Sequence, residues 1–192
     1  LKKFMKSWHQ KLFRDENSLF VAEGEILVGE LLESGYQPEL LVVRESSPSN
    51  IIGLADSYSE RGIPVYLAPK HQFEQLCDTK SPQGIIALVN YKEQTKYPKD
   101  SFIVLDGVAD PGNLGTIIRT ADWFGIRQII LGNDAVDGFN PKTVRASMGS
   151  IFRVSILTAD NFTEYFKKNF KSVKLFGASL DAENTIDKIK AP

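Results

Sequence analysis

Cysteine is almost missing from this 192-residue chain, with Cys77 its single example. One thiol cannot close an intramolecular disulfide or assemble a multi-cysteine zinc or iron–sulfur site, so no metal is expected. Such poverty suits a reducing compartment, and a cytoplasmic protein is the expectation. Histidine is scarce as well, and neither His9 nor His71 sits in a serine or cysteine hydrolase signature. No stretch approaches the ~20 apolar residues that a membrane-spanning helix needs, so no membrane partner is expected. Residues 1–8 carry Lys2, Lys3 and Lys6 and lack the apolar core of a signal peptide. Charge of one sign is also lacking: 23 basic against 24 acidic residues give a net charge of −1. That excludes a strong bulk attraction to nucleic acid. Neither G-x-G-x-x-G nor G-x-x-x-x-G-K-[ST] occurs, which counts against a small-molecule nucleotide enzyme.

What is present is ordinary for a globular protein: 42% hydrophobic and 24% charged residues. Helical spacing of Phe4, Trp8, Leu12 and Phe13 predicts a helix over 4–14. Strands follow at 19–22, 40–43, 64–67 and 85–89, with helices at 25–33, 49–60 and 70–77 between them. Alternation on this scale describes a three-layer α/β domain. Residues 91–100 are polar, aperiodic and contain a proline, which makes them a linker. We therefore divide the chain into 1–96, linker included, and 97–192. The second part alternates again, with strands at 102–105, 128–131, 153–157 and 174–178. Helices are expected at 113–124, 141–146 and 161–170, with a weaker one after 183. Such a pattern argues for a mostly parallel sheet.

Three places carry the polar chemistry. At the start, Lys2, Lys3, Lys6, Lys11 and Arg14 recur beside Trp8 and His9. Such a run is either a solvated helix face or a phosphate-contacting surface. Next, the segment 106–115 follows a strand of the second part, with Asp106, Gly107, Asp110, Gly112, Asn113 and Gly115 ahead of Arg119. Polar and glycine residues there lie at the carboxyl edge of a parallel sheet, where open α/β folds bind ligands. The plain alternative is a strand-to-helix loop with Asn113 as the helix cap. Arg119 either pairs with Asp122 three residues on or offers a planar donor fork to phosphate or carboxylate. Finally, Pro141 opens a short helix that ends in Ser147-Met148-Gly149-Ser150, small residues that allow capping or close packing.

Together two of these segments resemble a known family. Asn113-x-Gly115-x-x-x-Arg119-x-Ala121-x-x-Phe124-Gly125, followed by Arg145-Ala146-Ser147-x-Gly149-Ser150, is similar to the first two motifs of the SpoU (TrmH-type) RNA methyltransferases of the SPOUT superfamily. The first half, with Phe20-Val21-Ala22-Glu23-Gly24 before a helix, looks like that family's ribosomal-protein-like RNA-binding domain. The resemblance implies a homodimeric enzyme that transfers methyl from S-adenosylmethionine to a ribose 2′-hydroxyl in rRNA or tRNA. It also implies a trefoil knot in the full-length protein, an exception to un-knotted topology.

By motif matching, Asn113 and Arg119 are the catalytic pair, and Gly115 gives close approach at the RNA-facing edge. Lys2, Lys3, Lys6, Lys11, Arg14 and Arg145 would contact RNA. Ser147, Gly149 and Ser150 would support the site and the dimer. The family's third motif should follow the 174–178 strand but does not occur before Pro192. The expectation is thus a piece of a longer protein, with most of the cofactor pocket and knot beyond 192 and only Ala178, Ser179 and Leu180 touching the cofactor. The rival reading is a non-catalytic RNA-binding or assembly protein of the same fold.

Overall fold

The computed structural model describes residues 7–92, 101–170, 173–179, 181, 182 and 185. Lys2, Lys3, Lys6 and Leu180, with 93–100 of the expected linker, lie outside the described residues. In the first half, strands β1 (Leu19–Glu23), β2 (Pro38–Arg44), β3 (Val65–Ala68) and β4 (Ile85–Asn90) form one sheet in the order β1-β4-β2-β3. Its helices are α1 (Lys11–Asn17), α2 (Glu25–Leu32), α3 (Ser49–Glu60) and α4 (Lys70–Phe73).

Side-chain alternation divides this sheet between two cores. Phe20, Ala22, Ile85, Ala87 and Val89 face one side, where α2 and α3 contribute Leu27, Leu31, Ile51 and Tyr58. Leu19, Val21, Ile86 and Leu88 face the other, against Trp8 and Phe73. Helical cover on both faces explains why β1 and β4 read as unbroken apolar runs.

Within this sheet β4 runs antiparallel to both β1 and β2, and only β2 and β3 are parallel. The helix expected over 4–14 is broken at Gln10, which is extended (φ −83, ψ 130). A 3-10 turn at Ser7–His9 precedes the break and buries Trp8, while Leu12 beyond it is 70% exposed.

In the second half, β5 (Ile103–Leu105), β6 (Gln128–Gly132) and β7 (Ser155–Ala159) form a fully parallel sheet in that order. Helix α5 (Pro111–Trp123) follows β5 and buries Leu114, Ile118 and Ala121 along one stripe. Helix α6 (Pro141–Ala146) leads into a 3-10 turn at Ser150–Phe152. The amphipathic α7 (Phe162–Asn169) belongs to a second unit, Phe162–Pro192. The strand expected at 174–178 is absent: residues 173–179 have no sheet pairing and are exposed.

Leu1–Asn161 is one compact unit, so the change from first sheet to second is not a gap in packing. Phe139 lies 4.9 Å from Phe20 and 4.7 Å from Tyr91 between ring centroids, and Phe152 lies 5.5 Å from Tyr36. Arg14 completes the join. It is 1% exposed, pairs with Asp137 and donates to the His9 carbonyl oxygen at 2.6 Å. This corrects its expected place on an RNA-contacting face, because a guanidinium enclosed by protein and neutralised by Asp137 cannot reach phosphate.

Arg14→Met should therefore lower stability by about 3 kcal/mol, since it leaves Asp137 without its partner in a largely buried site. Adding Asp137→Asn should recover part of that loss. Urea unfolding of the two variants checks this; equal stability of wild type and Arg14→Met would show that the pair does not hold the halves together.

Candidate functional site

Helix α5 begins at the carboxyl end of β5, and its first turn is built by Asp110. The Asp110 carboxylate accepts the Asn113 backbone N–H at 2.8 Å and faces Lys142 Nζ at 3.2 Å. Those two hydrogen bonds, the backbone one foremost, hold its carboxyl below the usual carboxylate range. Pro111 takes the first helical position, where its missing N–H costs nothing. The cap is thus Asp110 and not Asn113. Two capping-type residues stand three apart, and the proline selects the first. Asn113 consequently uses its amide in the cap and presents its side chain to solvent.

Arg119 stands six residues on, about 9 Å along the helix axis. It is exposed and makes no hydrogen bond or ion pair among the described residues. Its nearby candidate partner, Asp122, is held by Arg127 and by Arg153, whose Nε lies 2.8 Å from Oδ2. The structure therefore gathers Asp110, Asn113 and Lys142 at one end of α5 and leaves Arg119 as a separate cation on the same helix.

The glycine and small-residue positions pack the chain against itself. Gly115 is buried where α5 meets α6: a Cβ there would collide with Ala146 and sit 2.7 Å from the Thr143 carbonyl oxygen. This corrects its expected RNA-facing role, since the close approach is helix to helix. Ser147 is fully buried and donates its hydroxyl to the Val144 carbonyl oxygen at 2.7 Å. Ser150 is buried and donates its amide to the Ser147 carbonyl oxygen. Gly149 is left-handed at φ +91, and a Cβ there would lie 2.6 Å from Cγ of Glu30 on α2.

Arg145 is forked between Asp78 at 2.8 Å and Glu23 at 3.6 Å, so its charge faces inward. The Asp78 carboxyl is held below its usual range chiefly by the Arg145 hydrogen bond. Lys11 is exposed and pairs with Asp15. A surface pair of that kind is worth only ~0–1 kcal/mol, so Lys11 remains open to another anion.

Lys142 was not singled out from the sequence; its neighbour Pro141 was the only signal at that point, and Asp110 lies 32 residues away. Cys77 is partly buried, and desolvation, helped by Glu23 and Glu74, pushes its thiol up to about 12. It is no nucleophile at neutral pH. Among the described residues there is no metal-ligating cluster and no helix long and apolar enough to cross a membrane. Ala178 and Ser179 are both exposed. The Ser179 carbonyl and hydroxyl oxygens accept from Ala182 and Asp181 amides in a turn, an arrangement that does not by itself enclose a cofactor.

Residues 100–192 match the SpoU rRNA Methylase family, and residues 3–87 match the MRM3-like substrate binding domain. The 23S rRNA (guanosine(2553)-2′-O)-methyltransferase RlmP of Bacillus subtilis is 34% identical over 181 residues, covering 92% of this chain and 70% of that enzyme. The mitochondrial rRNA methyltransferase 3 of Homo sapiens is 28% identical over 154 residues; the alignment spans 76% of this chain but 36% of that protein. An AdoMet-bound rRNA methyltransferase from Sinorhizobium meliloti superposes with a TM-score of 0.73 at 32% identity, over 86% of this chain and 64% of that one.

Two outcomes follow from the packing. Gly115→Ala should destabilise by about 1–3 kcal/mol, because overpacking at the α5–α6 contact outweighs the gain in helix propensity. Gly53→Ala, within α3 and with nothing inside 4 Å of the added Cβ, should instead stabilise by about 0.5–1 kcal/mol. Thermal melts decide both signs; stabilisation by Gly115→Ala would refute the tight contact. Cys77 should also resist alkylation at pH 7.5 and react fully after unfolding, which mass spectrometry reads directly. Rapid labelling of the folded chain would show the thiol to be accessible and ionised.

Proposed function

The chain belongs to the SpoU rRNA methylase family, and we propose that it is an S-adenosylmethionine-dependent methyltransferase acting on a ribose 2′-hydroxyl of RNA. Ribosomal RNA is the favoured substrate class, since the relatives cited above are named for it. The observation that carries the reading is Arg119: exposed, without an ion pair among the described residues and on the helix that begins at the candidate ligand edge.

Chemically, the reaction forms an O–CH3 bond as an S–CH3 bond breaks, and the hydroxyl proton must leave as it attacks. The cofactor, when bound, supplies an activated methyl on a sulfonium. A ribose hydroxyl is a poor nucleophile at neutral pH, so its orientation and deprotonation set the rate. Arg119 stays protonated and is no free base. Its planar fork fits the RNA phosphate beside the target ribose, which fixes the hydroxyl and stabilises the charge that develops. Asn113, with its side chain in solvent at the same helix, is the second contact to the ribose.

The match of residues 3–87 to a substrate-binding domain supports RNA binding by the first half, with Lys2, Lys3, Lys6 and Lys11 as candidate phosphate contacts. A homodimer, with Arg119 positioning RNA beside the cofactor held by the partner subunit, and a cytoplasmic setting belong to the same proposal.

Arg119→Ala should leave folding and cofactor binding unchanged and lower methyl transfer about 100-fold. Arg119→Lys should restore little, because a point charge does not reproduce a planar fork. Mixing the Arg119→Ala chain with one defective only in cofactor binding should recover part of the activity through mixed dimers. Full activity of Arg119→Ala would remove it from the site. No transfer from the wild-type full-length protein to any ribosomal or transfer RNA would leave the non-catalytic RNA-binding reading.

A further inference from the structure

A cavity of about 220 Å³ opens in the first unit between the β1–α2 turn, the loop before β4 and the end of α6. Its apolar wall is formed by Ile26, Leu27 and Met148. Met148 is unusual: it is a non-glycine residue held left-handed at φ +51 and is 42% exposed. Such backbone is strained and persists where the surroundings enforce it, commonly at ligand sites. The opposite wall is polar, with Thr79, Ser81 and Gln83 around the buried Glu23. Glu23 accepts the Asp78 amide at 3.1 Å and the Thr79 hydroxyl, and it faces Arg145. Arg145 belongs to this wall, and its Nη1 is buried 3.6 Å from Glu23 without a hydrogen-bond partner.

Size and charge choose the occupant. The volume is below the ~300–1,000 Å³ of drug-sized clefts and suits a single heterocycle. Arg145 is already held by Glu23 in the wall and by Asp78 behind it, so its charge is compensated and the site disfavours phosphate. A carboxylate has about four acceptor sites. Glu23 uses two of them on the Asp78 amide and the Thr79 hydroxyl, so it can still accept from an amino group. Arg145 Nη1, without a hydrogen-bond partner, can donate to an acceptor beside it. A flat ring with an amino-bearing polar edge and two apolar faces meets both demands, in the way that unstacked bases are read.

We propose that this cavity receives one unpaired, amino-bearing nucleobase of the RNA substrate, with Met148 and Ile26 against its face and Arg145 and the Glu23 side at its edge. The proposal rests on the RNA-substrate reading above but not on catalysis. Arg145 thereby contacts RNA through a base and not through phosphate.

The chain has two methionines, Met5 and Met148, so the methyl resonance of Met148 is a direct probe. Guanosine and cytidine should each shift it saturably; uridine and inorganic phosphate should not. A short single-stranded RNA carrying guanosine should bind more tightly than the nucleoside, and at least tenfold more tightly than the same strand with uridine. Met148→Gly removes the wall while glycine accepts the positive φ, so it should melt no lower than wild type and bind the guanosine strand at least tenfold more weakly. The proposal is overturned by no shift with guanosine or cytidine, by an equal shift with uridine, or by undiminished RNA binding in Met148→Gly. Equal affinity for free guanosine and the guanosine strand would overturn RNA as the source. None of these readouts involves methyl transfer: base binding without activity would sink the enzyme reading alone, and activity without base binding this one alone.

Discussion

The approach of α5 to α6 at Gly115 governs the geometry of everything polar around it. Without a Cβ at that point, the Thr143 carbonyl and Ala146 settle directly on α5. That contact fixes where α6 starts, and the start of α6 carries Lys142 to Asp110. It equally fixes where α6 ends, and the end of α6 carries Arg145 to Asp78 and Glu23 and turns Met148 and Gly149 toward the first half. One missing methyl group thus sets both the capped loop that frees Asn113 and the wall of the cavity beside β1. A side chain at this position would displace the two sites together, since α6 has only six residues over which to absorb a shift.

Charge along the join between the halves is arranged in pairs. Arg14 meets Asp137, Arg145 meets Glu23 and Asp78, and Arg153 bridges Glu30 to Asp122. Each links a residue of the first half to one of the second, and Arg14 does so in near-complete burial. Buried pairs of this kind contribute little net stability against a well-packed apolar alternative, because desolvation offsets most of the Coulomb gain. What they impose is position: an arginine displaced from its carboxylate is far worse than either in place. The first half is therefore held in a defined setting relative to α5, as a substrate-binding part needs to be if it presents RNA to a fixed edge.

Much of this was legible from local pattern. The apolar runs of β2, β4 and β6 announced buried strands, α3 fell within its expected limits, and the spacing around Asn113, Arg119 and Ser147 carried the family. Long-range facts left no local trace. Nothing near Arg14 in the chain indicates Asp137, 123 residues away, so a lysine-rich run concealed a core arginine. Gly115 read as a ligand-facing glycine because the residues that press on it, Thr143 and Ala146, belong to another helix. Strand order escaped for the same reason: β4 lies between β1 and β2 because its buried residues fill two cores at once, which no window of a few residues can express.

Arg119 is the residue at which these constraints meet. A guanidinium on a helix with an aspartate three residues later ordinarily has a partner at hand. Here Arg127 and Arg153 reach Asp122 first, one from the loop that follows α5 and one from beyond α6. Asp122 is largely enclosed by that arrangement, with 11% of its side chain exposed, and has little surface left to offer. Two arginines thereby occupy the aspartate and leave a third, at the exposed face, without a partner among the described residues. In a chain whose overall charge is −1, this concentrates a positive field at one place without making the protein basic. An anion arriving at that face meets a fork with no ion pair among the described residues to be broken before it binds. That is the condition for positioning an RNA phosphate at little reorganisation cost, and bulk composition gives no sign of it.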